Sequence, residues 1–384
     1  MYLSILCLPL HTKNPPMFIN IAGIKDYNMT INTSREKNND FFLSRIECNM
    51  LRGLAIILIV LNNFGHCING VQPDNEFNYI YDRVSCILDS IANPSSILPL
   101  ELLSFYSPFG VMLFIFLSGY GLVLKYEKDK GISVSNTNFV VDHYKKLFIM
   151  QAKGLAFYLV IFLMFESKEI IAIVPFIKQL LLTGNILSHH FIIPRPYWFF
   201  CMIFEMYLLY RFALSRCSSK IMIIVVVFFL ILMGCLEPNG KIITYLRMNI
   251  GLALLPFCLG ILAARHWRSN WTFTNSKLNC LVCFIISFVF LTLCKFSFYT
   301  WLLMPLFIVV TSISLTKLLI NNNITTKTLA WLGGLSGVMF VIHPALREIL
   351  VRRANESGYC YEVILIYLFL TIVLSYMLKP VFSK

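Results

Sequence analysis

Residues 51–66 read LRGLAIILIVLNNFGH, an apolar run that begins beside Arg52 and ends in Asn62, Asn63 and His66. A helix needs about 20 mostly apolar residues to cross the hydrocarbon core of a bilayer. Asn63 and His66 follow Arg52 by 11 and 14 residues, and at 3.6 residues per turn both lie on nearly the same helix face as Arg52. The stretch therefore predicts a membrane-spanning helix with a polar stripe that runs from Arg52 to His66.

The rest of the chain has the same character, because 58% of its residues are hydrophobic and only 13% are charged. Such a composition needs lipid to cover its apolar surface. We predict an all-α, polytopic bundle of about ten spans. The predicted spans are residues 51–68, 106–124, 147–165, 197–214, 222–236, 249–264, 278–293, 298–320, 329–350 and 361–378. Residues 170–182 are too short to span and predict a re-entrant or interfacial helix.

Lys and Arg residues set the predicted orientation, since cytoplasmic loops carry an excess of them. The loop at residues 67–105 has Arg83 as its only Lys or Arg against five acidic residues, so we place it outside and both chain ends inside. Three arginines after the ninth span then fall on the outer face, which indicates either a function there or misplaced last spans. The residues are Arg347, Arg352 and Arg353.

Several other classes of function are disfavoured. The formal charge of +13 is dispersed over short loops, so it favours topology setting and contact with anionic lipid over nucleic-acid binding. The 12 cysteines are scattered, and Cys280 and Cys283 lie in an apolar helix without a second pair. We therefore expect buried thiols and no metal site.

The amino-terminal segment differs from the rest of the chain. Residues 1–48 are polar and rich in Asn, which predicts a disordered cytoplasmic segment before a transmembrane domain at residues 49–382. The segment lacks the features of a secretory signal. Translation starting at Met29 is a further hypothesis, because residues 1–28 show no structural pattern.

Polar residues at membrane depth are costly and therefore indicate function or packing. Ser118 and Gly119 would let another backbone or a thin ligand approach closely. Residues 194–200, PRPYWFF, predict an interfacial aromatic belt that runs into Glu205. His343, followed by a proline and by Arg347 one turn later, would frame a polar pocket, although a lone histidine is more often structural.

Five motifs, in order along residues 52–379, resemble the acyltransferase 3 family of integral-membrane O-acyltransferases. The first two are the Arg-Gly start of the first span and the Phe-rich run into Ser-Gly-Tyr at residues 116–120. The others are Tyr197-Trp-Phe-Phe, the apolar run LLPFCLG at residues 254–260, and Ser336 to His343-Pro. Together the five are fairly specific.

The resemblance implies transfer of an acyl group, commonly acetyl, from a coenzyme A thioester to a hydroxyl of a cell-envelope carbohydrate. Family members usually place a key histidine 11 residues after the arginine, and that position is Asn63 here, which cannot act as a base. His66 lies one turn further along the same face, so we expect it to be the general base. Glu205 would orient His66 or Arg52 as the third residue of the catalytic group.

The resemblance also suggests where the substrates bind. Arg52, Lys145 and Lys146 would pair with the phosphates of acyl-CoA, a co-substrate rather than a bound cofactor. Acceptor contacts are assigned to Tyr197, Trp198, His343 and Arg347, although packing roles are equally expected for the two aromatic residues. The expected setting is a bacterial inner membrane, beside glycan-assembly enzymes if a partner is needed.

Two other functions fit the same residues. A transporter or flippase of a lipid-linked saccharide would use His66, Glu205 and His343 as a proton relay and would consume no thioester. The chain could also be a degenerate family member that serves as a membrane scaffold, which would explain why Asn63 stands where the family usually has its histidine.

Overall fold

The computed structural model of the chain describes residues 41–72, 74–106, 109–128, 134–165, 173–187, 194–268 and 276–383. Among these residues the secondary structure is entirely helical. Most of the predicted amino-terminal segment, including Met29, lies outside the described residues. The rest of it is described, and the first helix begins at Arg45, six residues before the predicted first span.

The helices are numbered here in chain order, with short π and 3-10 turns treated as parts of their neighbours. They are α1 (Arg45–Gly65), α2 (Arg83–Ala92), α3 (Leu98–Tyr106), α4 (Phe109–Val123), α5 (Asn136–Phe165), α6 (Ile173–Leu180), α7 (Gly184–Leu187), α8 (Trp198–Leu209), α9 (Ser219–Gly234), α10 (Lys241–Leu246), α11 (Leu252–His266), α12 (Lys277–Leu293), α13 (Phe298–Trp301), α14 (Met304–Leu319), α15 (Asn323–Gly333), α16 (Ser336–Ser357) and α17 (Cys360–Ser383).

Seven helical segments of the described chain are long and apolar enough to cross a membrane. An eighth arises if α15 and α16 are counted as one span, although they are bent by 70° at their junction. Helices α9 and α14 are apolar but shorter. The predicted eighth span is divided between α13 and α14, and α14 restarts with Pro305 in its first turn, where a missing N–H costs nothing. The count of about ten spans stays a prediction.

A capping box fixes the start of α1. The backbone N–H of Ser44 donates to Glu47 Oε2 at 2.7 Å, and the N–H of Glu47 donates to Ser44 Oγ at 3.3 Å. The two bonds satisfy donors that the first turn of a helix leaves unpaired. Glu47 also pairs with Lys317 Nζ at 2.6 Å, which ties the start of α1 to α14.

The centre of the bundle is built by close approach of helix backbones. A Cβ atom on Gly119 would lie 2.2 Å from the carbonyl oxygen of Phe257, and one on Gly260 would lie 2.1 Å from that of Phe116. Helices α4 and α11 therefore contact each other through reciprocal glycines, as small residues permit in membrane helices. Ser118 Oγ donates to Phe114 O within its own helix at 2.8 Å. The Ser-Gly-Tyr motif thus serves helix packing.

Candidate active site

A cavity of about 330 Å³ opens where α1 ends. Its walls come from the end of α1, the following loop, the start of α8 with the turn before it, two residues of α16, and single residues of α4 and of the turn before α11. They combine amide, carboxylate, cationic and aromatic side chains. The lining residues are Ile59, Asn62, Asn63, His66, Asp74, Asn75, Glu76, Phe77, Asn78, Val111, Arg195, Pro196, Trp198, Phe199, Met248, Phe340 and Arg347.

His66 is the residue that caps α1, and it lines this cavity. Its backbone N–H donates to Asn62 O at 3.1 Å, which continues the helix by one bond. Its Nδ1 atom is buried and has no hydrogen-bond partner among the described residues. Burial, together with the guanidinium groups of Arg347 and Arg195, lowers the pKa of His66 to about 4. The imidazole is therefore neutral at pH 7, and it is a weaker base than a histidine in water.

Asn63 lies one turn before His66, and its side chain is held from two directions. Its Nδ2 donates to Ile59 O at 2.9 Å, and its Oδ1 accepts from Arg347 Nη1 at 3.3 Å. Arg347 also forms an ion pair with Glu348. The predicted catalytic residues of α1 thus meet the predicted acceptor-binding Arg347 of α16 in one cavity, although 284 positions separate Asn63 from Arg347 in the chain.

The loop at residues 74–78 forms a second wall, and buried cations hold it. Lys295 Nζ lies 2.6 Å from Asp74 Oδ2, and Arg83 Nε lies 3.6 Å from the same oxygen. Arg247 donates from Nε and Nη2 to the carbonyl oxygen of Glu76, at 3.0 and 2.5 Å. Cations at this depth need such partners, because an unpaired buried charge is strongly destabilising. The loop is therefore firmly positioned against the cavity.

Glu76 brings a titratable group into the cavity that the sequence interpretation missed. Burial raises the pKa of its carboxyl group to about 7, and the negative charge of Asp74 adds to the shift. The side chain is thus close to half-protonated at neutral pH. A carboxyl group with this pKa can accept or donate a proton to a bound hydroxyl group.

Aromatic rings complete the cavity. Trp198, an expected acceptor contact, lines it and packs edge-on against Phe77, with ring centroids 4.8 Å apart. Its neighbour Tyr197 points elsewhere, since it is fully buried and donates its hydroxyl hydrogen to Val341 O at 2.6 Å. The same hydroxyl oxygen lies 2.1 Å from where a Cβ atom on Gly154 would be. Tyr197 therefore packs α8 against α5 and α16.

Two other expected site residues lie outside the cavity lining. Glu205 accepts a hydrogen bond from Cys201 Sγ at 3.6 Å, and within the described part of the chain it bonds neither His66 nor Arg52. His343 is fully buried, with Nδ1 3.1 Å from Met339 O. Its Nε2 atom has no hydrogen-bond partner among the residues that the structure describes.

The expected donor-binding cations are also remote from the cavity. Arg52 lies 14 residues before His66 on α1, about 21 Å along the helix axis. It is largely buried, and its Nη1 donates to Asn49 Oδ1 at 2.9 Å. Lys145 is exposed and Lys146 half-buried near the start of α5. Neither lysine lines the cavity.

Comparison with known proteins supports one family. A family model described as an acyltransferase domain matches residues 45–379, which is nearly all of the described chain. No curated protein and no solved structure matches. The membrane-length apolar helices agree with this match. The chain therefore belongs to the acyltransferase 3 family and is a multi-pass membrane enzyme that transfers acyl groups.

Proposed function

We propose that the enzyme moves an acetyl group from acetyl-CoA to a hydroxyl group of a cell-envelope carbohydrate in the inner membrane of a bacterium. About ten spans would place both chain ends in the cytoplasm and the cavity mouth outside. The observation that carries the proposal is His66, whose neutral imidazole faces a cavity lined by amides and aromatic rings. Such walls suit a polyhydroxylated ring, because amides bond hydroxyl groups and aromatic faces cover its apolar side.

His66 would act as the general base. Its imidazole lines the cavity, so a hydroxyl group of a substrate bound there would approach the ring. As the proton passes to the imidazole, the hydroxyl oxygen attacks the thioester carbonyl carbon and forms the ester bond. The carbon–sulfur bond then breaks, and the coenzyme leaves as a thiol after taking the proton from His66. General base catalysis of this kind contributes typically 10²- to 10⁴-fold.

Arg347 and Trp198 would position the acceptor. Arg347 is anchored by Asn63 and Glu348 and lines the cavity, so its guanidinium group can bond sugar oxygens or the developing oxyanion. Trp198 offers a ring face beside Phe77. His343 and Tyr197 would support this wall from behind, since both are buried outside the cavity lining.

Acyl-CoA would bind from the opposite end of α1. Arg52, Lys145 and Lys146 carry the positive charge that pairs with its phosphates. The thioester would then have to reach along α1 from Arg52 to His66, a distance of about 21 Å. Acetyl groups would thus enter from the cytoplasmic side and leave on the outer side.

The test uses inverted membrane vesicles, in which the cytoplasmic face is accessible. Acetyl-CoA with a labelled acetyl group is added outside, and free thiol and labelled glycan are counted over time. We expect one thiol released for each acetyl group on glycan, loss of both in His66→Ala, and retention of both in the control His266→Ala, an exposed histidine of α11. Movement of glycan without thiol release would overturn the proposal in favour of a transporter.

A further inference from the structure

A second cavity adjoins the candidate active site. Its volume is about 670 Å³, and it shares Asn75 and Asn78 with the first cavity. Its other walls come from the loop before α2, from the start of α10, and from Asn239, two residues before that helix. The complete lining is Gln72, Asn75, Asn78, Tyr79, Ile80, Tyr81, Asp82, Asn239, Lys241 and Thr244.

The side chains of this second cavity suit hydroxyl groups and sugar rings. Four of them carry amide groups, which offer both donors and acceptors, and the two charged groups, Asp82 and Lys241, are of opposite sign. The rings of Tyr79 and Tyr81 meet edge to face at 5.1 Å, and Tyr81 is 62% exposed. An exposed aromatic face beside amides recognises a neutral polyhydroxylated ligand better than a lipid chain or a polyanion.

The cavity is pre-organised by contacts between distant parts of the chain. Asn239 binds the backbone of Tyr79 on both sides, accepting from its N–H at 2.7 Å and donating to its carbonyl oxygen at 2.5 Å. Tyr79 also donates its hydroxyl hydrogen to Lys295 O at 3.2 Å. Ordering costs on binding are small when side chains are already held in this way. Tyr79 is therefore held in place, and it supports the exposed ring of Tyr81 by an edge-to-face contact.

Asn78 links the two cavities. Its Oδ1 accepts from Thr244 Oγ1 at 3.2 Å, which fixes the plane of the amide. Because Asn78 lines both cavities, its amide group can contact a ligand that passes from one cavity to the other. The first cavity, at about 330 Å³, is near the lower limit for a small-ligand site.

We propose that the second cavity is a subsite for the sugars next to the acetylated one, so that the acceptor is a glycan chain and not a free monosaccharide. The proposal rests on the proposed function, because it assumes that the acceptor is a carbohydrate. The reacting sugar would lie beside His66, its neighbour would cross Asn78, and the following ring would stack on Tyr81.

The test measures binding and does not depend on catalysis. Envelope glycan from cells that naturally contain the protein is released by mild acid, tagged with a fluorophore, and separated into single sugars and chains of at least four units. Binding of each fraction to the detergent-solubilised full chain is followed by fluorescence anisotropy. Wild type is compared with Tyr81→Ala, Tyr81→Trp and the control Tyr359→Ala, another exposed tyrosine that lies outside both cavities.

We expect wild type to bind chains at least about tenfold more tightly than single sugars. Tyr81→Ala should lose most of this preference for chains, and it should bind single sugars as tightly as wild type does. Tyr81→Trp and Tyr359→Ala should keep the preference for chains. Equal binding of chains and single sugars, no binding of either by wild type, or full chain binding by Tyr81→Ala would overturn the subsite. Chain binding as expected without any acetyl transfer would instead refute the proposed function alone.

Discussion

Arg347 Nη1 lies 3.3 Å from Asn63 Oδ1, so the arginine of α16 holds the residue at which the family usually has its histidine. A carboxamide cannot serve as a base, but it can anchor a guanidinium group inside a cavity. One turn further along the chain, His66 lines the same cavity as Asn63 and Arg347. The arrangement suggests that Asn63 positions Arg347 while the proton is accepted by His66.

The first prediction concerns Glu76 and pH. With its pKa raised to about 7, Glu76 is mostly protonated at pH 6 and mostly ionised at pH 8. The carboxylate accepts stronger hydrogen bonds from sugar hydroxyl groups than the neutral acid does. We therefore expect the KM for glycan to fall as pH rises from 6 to 8, and to be constant over this range in Glu76→Gln.

Measurement of KM at fixed, saturating acetyl-CoA checks this prediction. Two charged groups shift the pKa of Glu76: Asp74 raises it and Arg247 lowers it. An unchanged pH dependence in Glu76→Gln would show that another group is responsible. His66 is not expected to contribute, since its pKa of about 4 keeps it neutral above pH 6.

The second prediction concerns the donor. Removal of one charge-assisted contact to a phosphate costs about 1.5 to 3 kcal/mol, or roughly 10- to 100-fold in affinity. Arg52→Ala and Lys145→Ala should therefore raise the KM for acetyl-CoA about tenfold or more, with little change in the KM for glycan. Steady-state kinetics with each substrate varied in turn will measure both constants.

Lys220→Ala is the matched control for the donor prediction, because Lys220 is another exposed cation of the predicted cytoplasmic face. It should leave both constants unchanged. A rise in the KM for glycan in Arg52→Ala, without one for acetyl-CoA, would contradict donor binding at this end of α1.

The third prediction concerns helix packing. A methyl group on Gly260 would lie 2.1 Å from Phe116 O, so Gly260→Ala must separate α4 from α11. Overpacking of this kind costs typically about 1 to 3 kcal/mol. We expect a lower Tm for thermal unfolding in detergent. Gly234→Ala should be close to wild type, because its new methyl group would meet only Tyr299, at 3.6 Å; equal melting of the two variants would contradict the packing account.

Hydrophobic run length made the positions of the apolar helices predictable, because a helix that crosses a bilayer needs a minimum apolar length. The helices of the described chain overlap all ten predicted spans, but the bend of 70° between α15 and α16 was not foreseen. Helix α15 also packs closely against α1 just before the bend, where a Cβ atom on Gly333 would lie 1.9 Å from Asn49 O. Hydropathy carries no information about such contacts.

Four of the residues that the sequence assigns to the site line the cavity, and their roles stay predictions: His66, Asn63, Trp198 and Arg347. Sequence reasoning could not distinguish Trp198 from the adjacent Tyr197, since an aromatic belt does not show which ring lines the cavity. Contacts over long sequence separations were also hidden, such as Arg247 on Glu76 and Lys295 on Asp74.

A signal for these missed contacts was present. Arg247 and Lys295 fall on the predicted outer side, where the positive-inside rule disfavours cations. Buried cations on the outer side need acidic or carbonyl partners nearby. The predicted outer loop at residues 67–105 supplies both kinds, with the carboxylate of Asp74 and the carbonyl oxygen of Glu76. The positive-inside rule also singles out Arg347, which lines the cavity.

The central claim, that His66 has taken the place of the family's usual histidine, is tested most directly by labelled acetyl transfer from acetyl-CoA to envelope glycan in membranes. The rates of wild type, His66→Ala and Asn63→Ala are compared at equal amounts of folded protein. We predict a loss of at least about 100-fold in His66→Ala. Asn63→Ala should lose less than about tenfold, because it removes one hydrogen bond to Arg347. Transfer unaffected by His66→Ala, or an equal loss in both variants, would contradict the account.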